Sequence, residues 1–125
     1  MASQTLSKEE LKKKASDEID SRADEIVAIA KAILKNPEPG FREIKTAQLV
    51  AGKLAELGIP FRAGLAVTGV RADLIGGTAG PALAILGELD SLIVNQHPHA
   101  DPVTGAAHAC GHHCQIAMMF GALYA

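Results

Sequence analysis

One short window carries the side chains that chemistry needs. Residues 97–115 read HPHADPVTGAAHACGHHCQ and hold His97, His99, Asp101, His108, Cys110, His112, His113 and Cys114. All five histidines and both cysteines of the chain fall here. Imidazole and thiolate are the preferred ligands of zinc and related divalent ions. Five histidines scattered by chance would not crowd together in this way, so a metal site or a catalytic cluster is expected. The spacing is not that of a structural zinc finger, because no second C-x-x-C or H-x₃-H pair accompanies it.

Within the window, Cys110-Gly111-His112 is the sharpest element. It falls where a loop turns into the last predicted helix. The free N–H groups and dipole of a helix N-terminus favour a thiolate, and Gly111 permits the turn. Glu88 and Asp90 leave the C-terminal end of a predicted buried strand, where the sites of open α/β sheets lie. A carboxylate there can hold a ligand histidine in the right tautomer from behind. His97 and His99 read as loop surface. Cys114, four residues beyond Cys110, reads as a small core residue on the helix. A Cys110–Cys114 disulfide would strain a helical turn, and C-x₃-C is not the usual spacing of a thiol redox pair.

The elements that must position these residues follow from pattern. A long helix is predicted over residues 7–35. Ser7 and Glu10 form a capping box at its start, and Ile19, Ala23, Ile26, Ala30, Ile33 and Leu34 recur at helical spacing. Its dense mixed charge reads as a solvated face. Asn36-Pro37-Glu38-Pro39-Gly40 stops it. A second helix is predicted at 43–57, with Ala47, Val50, Leu54 and Leu57 on one face and Gly58 at its end. Residues 59–63 and 66–75 read as strands, the second alternating Val70, Ala72 and Leu74 against Arg71 and Asp73. Gly76–Pro81 reads as a turn. Ala82–Leu86 is wholly apolar, as expected of a strand buried on both faces. Residues 91–109 read as an irregular loop. A final helix starts near Gly111, with Ile116, Met119, Phe120 and Leu123 on its core face. Helices alternating with strands predict an α/β layer architecture.

Composition narrows the function. The chain has 125 residues, 48% hydrophobic, with a net charge of −2. That supports one domain with a core, and excludes a disordered chain. The near-neutral balance and 3% aromatic content argue against a nucleic-acid partner. Charge is uneven: beyond residue 62 only Arg71, Asp73, Glu88, Asp90 and Asp101 are charged. The start MASQTLSKEELKKK lacks the apolar stretch of a secretory signal. The uncharged stretch 102–125 is broken by Pro102, histidines and glycines and does not read as a membrane helix. Neither a membrane partner nor an oxidising compartment is suggested, so a cytoplasmic location is expected.

Four ordered pieces carry a resemblance: NPEPGFREIKTAQLVAGKLAELGI, TGVRADLIGG, PALAILGELDSL and HACGHHCQIAMMFGAL. Together they resemble the N-terminal part of the metal-dependent amidohydrolases and aminoacylases. That group contains hippurate, indoleacetyl-amino-acid and aminobenzoyl-glutamate hydrolases, and is similar to the carboxypeptidase G-type dimetal peptidases. The resemblance covers about residues 20–125, and HACGH is its most specific piece. It implies a zinc-peptidase-like α/β/α fold with a mixed sheet, present here in part. It also implies a hydrolase using two divalent ions (zinc, manganese or cobalt) to cleave the amide of a small N-acyl amino acid or peptide. Cys110 and His112 fall on the family's metal ligands, and Asp90 on its ligand-orienting carboxylate. His113 and Cys114-Gln115 depart from the family's Asp or Asn and Gly-His at those positions.

In the family a Glu-Glu pair beyond HACGH supplies the general base and a ligand, and a lid or dimerisation domain follows. This chain has no Glu after Glu88, and amide hydrolysis needs a base to move the proton of water. Residues 1–125 are therefore expected to be the N-terminal portion of the catalytic domain, inactive alone, with apolar surface that promotes self-association. The reading from a different class is a small metal- or partner-binding module without catalysis.

Overall fold

The computed structural model describes residues 6–125. Residues 1–5, part of the stretch read above for a leader, lie outside them. The elements are α1 (Lys8–Ser21), α2 (Ala23–Leu34), α3 (Ile44–Glu56), β1 (Phe61–Leu65), β2 (Gly69–Ala72), β3 (Leu92–Ile93), β4 (Ala106–Ala107) and α4 (His112–Tyr124). The α/β class holds. The strands form two antiparallel pairs, β1–β2 and β3–β4, rather than one mixed sheet; a single parallel bridge joins Pro39 to Ser91.

The predicted first helix is two helices. Ser7 opens α1 with a full capping box, its hydroxyl accepting the Glu10 N–H at 3.3 Å while the Glu10 carboxylate accepts the Ser7 N–H at 2.8 Å. The helix breaks at Arg22, whose φ of −108° and ψ of 13° leave the helical well. No proline or glycine marks this point. Arg22 pairs with Glu18 at 2.7 Å and lies 4.7 Å over the ring of Tyr124, about a hundred residues on. α1 buries none of its residues. Its surface ion pairs, such as Lys13–Asp17 at 2.6 Å, are exposed and contribute little.

The core is α2 against α4. Ile29, Ile33, Ile116, Ala117 and Phe120 are buried together, with Leu54 from α3. Gly121 is buried in this interface, and a Cβ there would make an ordinary contact, 3.6 Å from Ile26 Cδ1. Half-buried Val70 and Ala72 pack onto this cluster from β2. In contrast, Leu74 has left the strand and is 60% exposed. The expected strand Ala82–Leu86 does not form. The segment is irregular, and Leu83 and Leu86 are about nine-tenths exposed. An apolar run becomes a buried strand only with neighbours on both edges, and among the described residues none pairs with it. Cys114, expected in the core, is exposed, because it falls on the outer side of α4.

The α2–α3 connection is built on two glutamates. Glu38 accepts the Lys45 and Thr46 N–H groups and the Thr46 hydroxyl at 2.9–3.0 Å, which satisfies the first turn of α3. Glu43 is buried and accepts the Phe41 N–H at 2.8 Å and the Thr68 hydroxyl at 2.7 Å. Between them Phe41 takes a φ of +62°, a left-handed conformation that costs roughly 1–2 kcal/mol for a residue with a side chain.

Candidate metal centre

The β3–β4 hairpin brings the two chemical segments together. Leu92 pairs with Ala107 and Ile93 with Ala106, so the chain enters β3 from Asp90 beside where it leaves β4 at His108. The intervening loop is tied by Val94 N–H to the Gly105 carbonyl at 2.8 Å and by a turn on Asp101. The Asp101 carboxylate accepts the N–H and hydroxyl of Thr104 and the N–H of Val103. These donors hold its pKa below the ordinary carboxylate range, the Thr104 N–H most of all.

Glycine sets the approach of the other segment. A Cβ on Gly87 would collide with Met119 Sδ and lie 3.1 Å from Ile116 Cδ1. The backbone thus presses onto α4, and Glu88 and Asp90 follow directly. Gln115 clamps Glu88 there, its Oε1 accepting the Glu88 N–H at 3.2 Å and its Nε2 donating to Oε2 at 3.4 Å. Gln115 departs from the resembled pattern, and that departure was its only signal in the sequence.

His112 is the first residue of α4, after Gly111 with a φ of +85°. Its Nδ1 lies 2.9 Å from the Asp90 carbonyl and 3.1 Å from Asp90 Oδ1. Its Nε2 lies 3.0 Å from Glu88 Oε2. The His112 side chain is 12% exposed, whereas Glu88 opposite its Nε2 is 63% exposed. In the neutral tautomer whose Nδ1–H donates to Asp90, Nε2 turns its lone pair towards Glu88. A lone pair facing a carboxylate is stable only with a proton or a cation between them. This is the local chemistry of a carboxylate-oriented imidazole ligand.

Cys110 is exposed on the approach to α4. Among the described residues, no three His, Cys, Asp or Glu side chains converge as a metal-holding group. The donors present fit an oriented imidazole with an accessible thiol, and do not amount to a closed set for two ions.

Sequence reasoning left the other histidines without roles. His97 Nδ1 accepts the His99 N–H at 3.1 Å, and both rings stay in the hairpin loop. His108 is buried, and neither ring nitrogen has a hydrogen-bond partner. Burial first, then the neighbouring His113 and His112, push its pKa down to about 4, with Asp90 offsetting part. His113 packs beside it with ring centroids 5.3 Å apart. Its pKa is also lowered, by burial and then by His112. His108 is therefore held as a neutral imidazole near pH 7. No periodicity distinguished these two from a surface histidine.

Among known proteins, the chain is 34% identical over 102 residues to the IAA-amino acid hydrolase ILR1-like 4 of Arabidopsis thaliana, covering 79% of this chain and 23% of that protein. It is 32% identical over 119 residues to thermostable carboxypeptidase 2 of Saccharolobus solfataricus, covering 92% of this chain and 30% of that one. It is 32% identical over 103 residues to the N-acetyl-L-cysteine deacetylase of Bacillus subtilis, covering 80% and 25%. The chain thus spans about a quarter of the length of the curated relatives it matches. No family model and no solved structure matches it. No helix among the described residues is long and apolar enough to cross a membrane.

Proposed function

We propose a function from one premise, that the chain belongs to the amidohydrolase and aminoacylase family of these relatives. The protein to which these residues belong hydrolyses the amide of a small N-acyl amino acid or peptide with the help of divalent metal. Residues 1–125 are the N-terminal portion of its catalytic domain. The observation that supports this most is His112, held at Nδ1 by Asp90 with Nε2 facing Glu88.

In this reading Cys110 and His112 are metal ligands and Asp90 is a positioning residue. Asp90 fixes the His112 tautomer, so that Nε2 presents its lone pair without reorganisation. Gln115 keeps Glu88 beside that nitrogen, where its negative charge raises the affinity for a cation. A divalent ion held there would polarise an amide carbonyl and lower the pKa of water. The proton from that water needs a base, and we attach the activity to protein that supplies one, with further donors, in addition to these residues. The thiolate and imidazole donors suit zinc; manganese and cobalt are candidates by the family resemblance alone.

We further propose a cytoplasmic location and self-association. The second rests on the exposure of the large apolar side chains Ile75, Leu83, Ile85 and Leu86, which a partner surface would cover.

The test is hydrolysis of N-acetyl- and N-benzoyl-amino acids by the active protein with added zinc, manganese or cobalt. Turnover that depends on metal and disappears in Cys110→Ser and in His112→Ala is the expected result. Turnover that survives both substitutions, or none with any metal, overturns the reading.

A further inference from the structure

The Glu88 carboxylate is exposed yet tethered. Its side chain is 63% exposed, so burial does not hold it in place. Gln115 does, with both ends of one amide: Oε1 accepts the Glu88 N–H at 3.2 Å, and Nε2 donates to Glu88 Oε2 at 3.4 Å. Gln115 follows His112 by three positions in α4, and residues so spaced are neighbours on a helix face. The oxygen that Gln115 holds is also the one that faces His112, with Oε2 standing 3.0 Å from Nε2. Gly87 seats the segment, since a Cβ there would meet Met119 and Ile116 of the same helix.

That separation has a chemical meaning. Zinc binds imidazole nitrogen and carboxylate oxygen at about 2.0–2.2 Å. Two such donors on one ion stand about 3.0 Å apart at a right angle, and about 3.4 Å apart at the tetrahedral angle. The distance from Nε2 to Oε2 is that of two donors sharing an ion. Asp90 occupies the other ring nitrogen, at 2.9 and 3.1 Å, so Nε2 is the nitrogen left for a metal. The Gln115 amide is neutral, and orders the carboxylate without cancelling its charge.

We propose that Glu88 is a direct ligand of the divalent ion that His112 binds, and that Gln115 is the positioning residue for Glu88. The inference deepens the hydrolase reading above and rests on its metal centre. In that reading Glu88 is a charge beside the ion, whereas here its Oε2 is a donor to it. The tether pays part of the ordering cost before the ion arrives, so less is lost on binding. Two donors do not close a site, and the others come from Cys110 and from the protein that supplies the base.

The experiment titrates the active protein, stripped of metal, with Zn²⁺ against a competing chelator, and records the visible absorption of bound Co²⁺. Glu88→Gln keeps the size of the side chain and removes the anionic donor. The expected result is a loss of Zn²⁺ affinity of at least about 100-fold, beyond the roughly 10–100-fold range of groups that only orient a ligand. The Co²⁺ spectrum changes with it. The loss persists in molar salt, where charges more than about 3 Å apart are screened. Gln115→Ala loses about tenfold and keeps the Co²⁺ spectrum at saturating metal. The double variant loses no more than Glu88→Gln alone, as it must if Gln115 acts through Glu88. A loss in Glu88→Gln below about fivefold that vanishes in salt, or an unchanged Co²⁺ spectrum, overturns the inference and leaves Glu88 as a nearby charge. Additive losses in the double variant overturn the role of Gln115. If the parent binds neither ion, or His112→Ala binds as tightly as the parent, the metal-centre reading fails, and this inference with it.

Discussion

Replacing Asp90 tests the site at its hinge. Asp90 meets His112 Nδ1 twice, through its carbonyl at 2.9 Å and its carboxylate at 3.1 Å. Asp90→Ala removes only the second contact, since any residue supplies the carbonyl. Removing a partner that orients a ligand histidine typically costs 10–100-fold in metal affinity. With one of two acceptors retained, the lower end applies, so the expected loss is about tenfold, or about 1.4 kcal/mol. Asp90→Asn keeps an oxygen at the same place and should lose less than Asp90→Ala. His112→Ala, which removes the ligand itself, should lose far more. The assay is calorimetric titration of the chain with Zn²⁺, checked by the visible absorption of bound Co²⁺. Far-ultraviolet circular dichroism shows whether each variant is folded. An Asp90→Ala affinity within about twofold of the parent, or a loss equal to that of His112→Ala, would refute the assignment of Asp90 as an orienting group.

Other substitutions probe the frame around it. Gly87→Ala drives a methyl into Met119 and Ile116. Met119 can swing aside but buried Ile116 gives little, so chemical denaturation should show a loss of about 1–2 kcal/mol; an unchanged midpoint would contradict the close approach. Ile33→Ala opens the centre of the α2–α4 core, where Ile33 is 2% exposed, and should cost about 2–5 kcal/mol in urea unfolding. Burial, then the hydrogen bond to Glu25, raises the Tyr124 pKa to about 12 from an ordinary 10. A raised folded pKa gives stability that is present below pH 10 and lost as pH rises towards 12. Arg22, Glu25 and Glu56 surround the phenol in common with its variant, so the parent should lose stability more steeply than Tyr124→Phe across that window. Parallel slopes would contradict the shift.

The parts of the fold that were legible are those set by local rules. The Ser7–Glu10 box, the Pro37–Gly40 stop and the apolar stripe Ile116–Phe120 each declare themselves within one turn or two, and the structure uses each as read. What was not legible depends on partners distant in the chain. The helix breaks at Arg22, where the periodicity runs on unbroken and the guanidinium lies over the distant Tyr124 ring. Glu43 is an ordinary surface glutamate by sequence, and is buried because Thr68, twenty-five residues on, offers a hydroxyl. Ala82–Leu86 has the composition of an interior strand, but composition cannot supply the edges that make one.

The same distinction runs through the site. The crowding of ligand types at 108–114 was visible because chemistry restricts the residues that can serve, whatever the fold. Which of them face one another was not visible, because that depends on the hairpin register and on Gly87. The pairing Leu92–Ala107 carries Asp90 to the start of α4, and the bare Cα of Gly87 lets Glu88 lie against the same helix. A one-residue slip in that register would reverse which side chains face α4 and take Asp90 from His112, leaving the sequence motif unchanged. The orientation of the imidazole is therefore a property of the hairpin as much as of the motif. Variants that lengthen the loop between β3 and β4 without altering the register should leave metal affinity intact, whereas a single insertion before Leu92 should abolish the orienting contact, and zinc titration of the two would tell them apart.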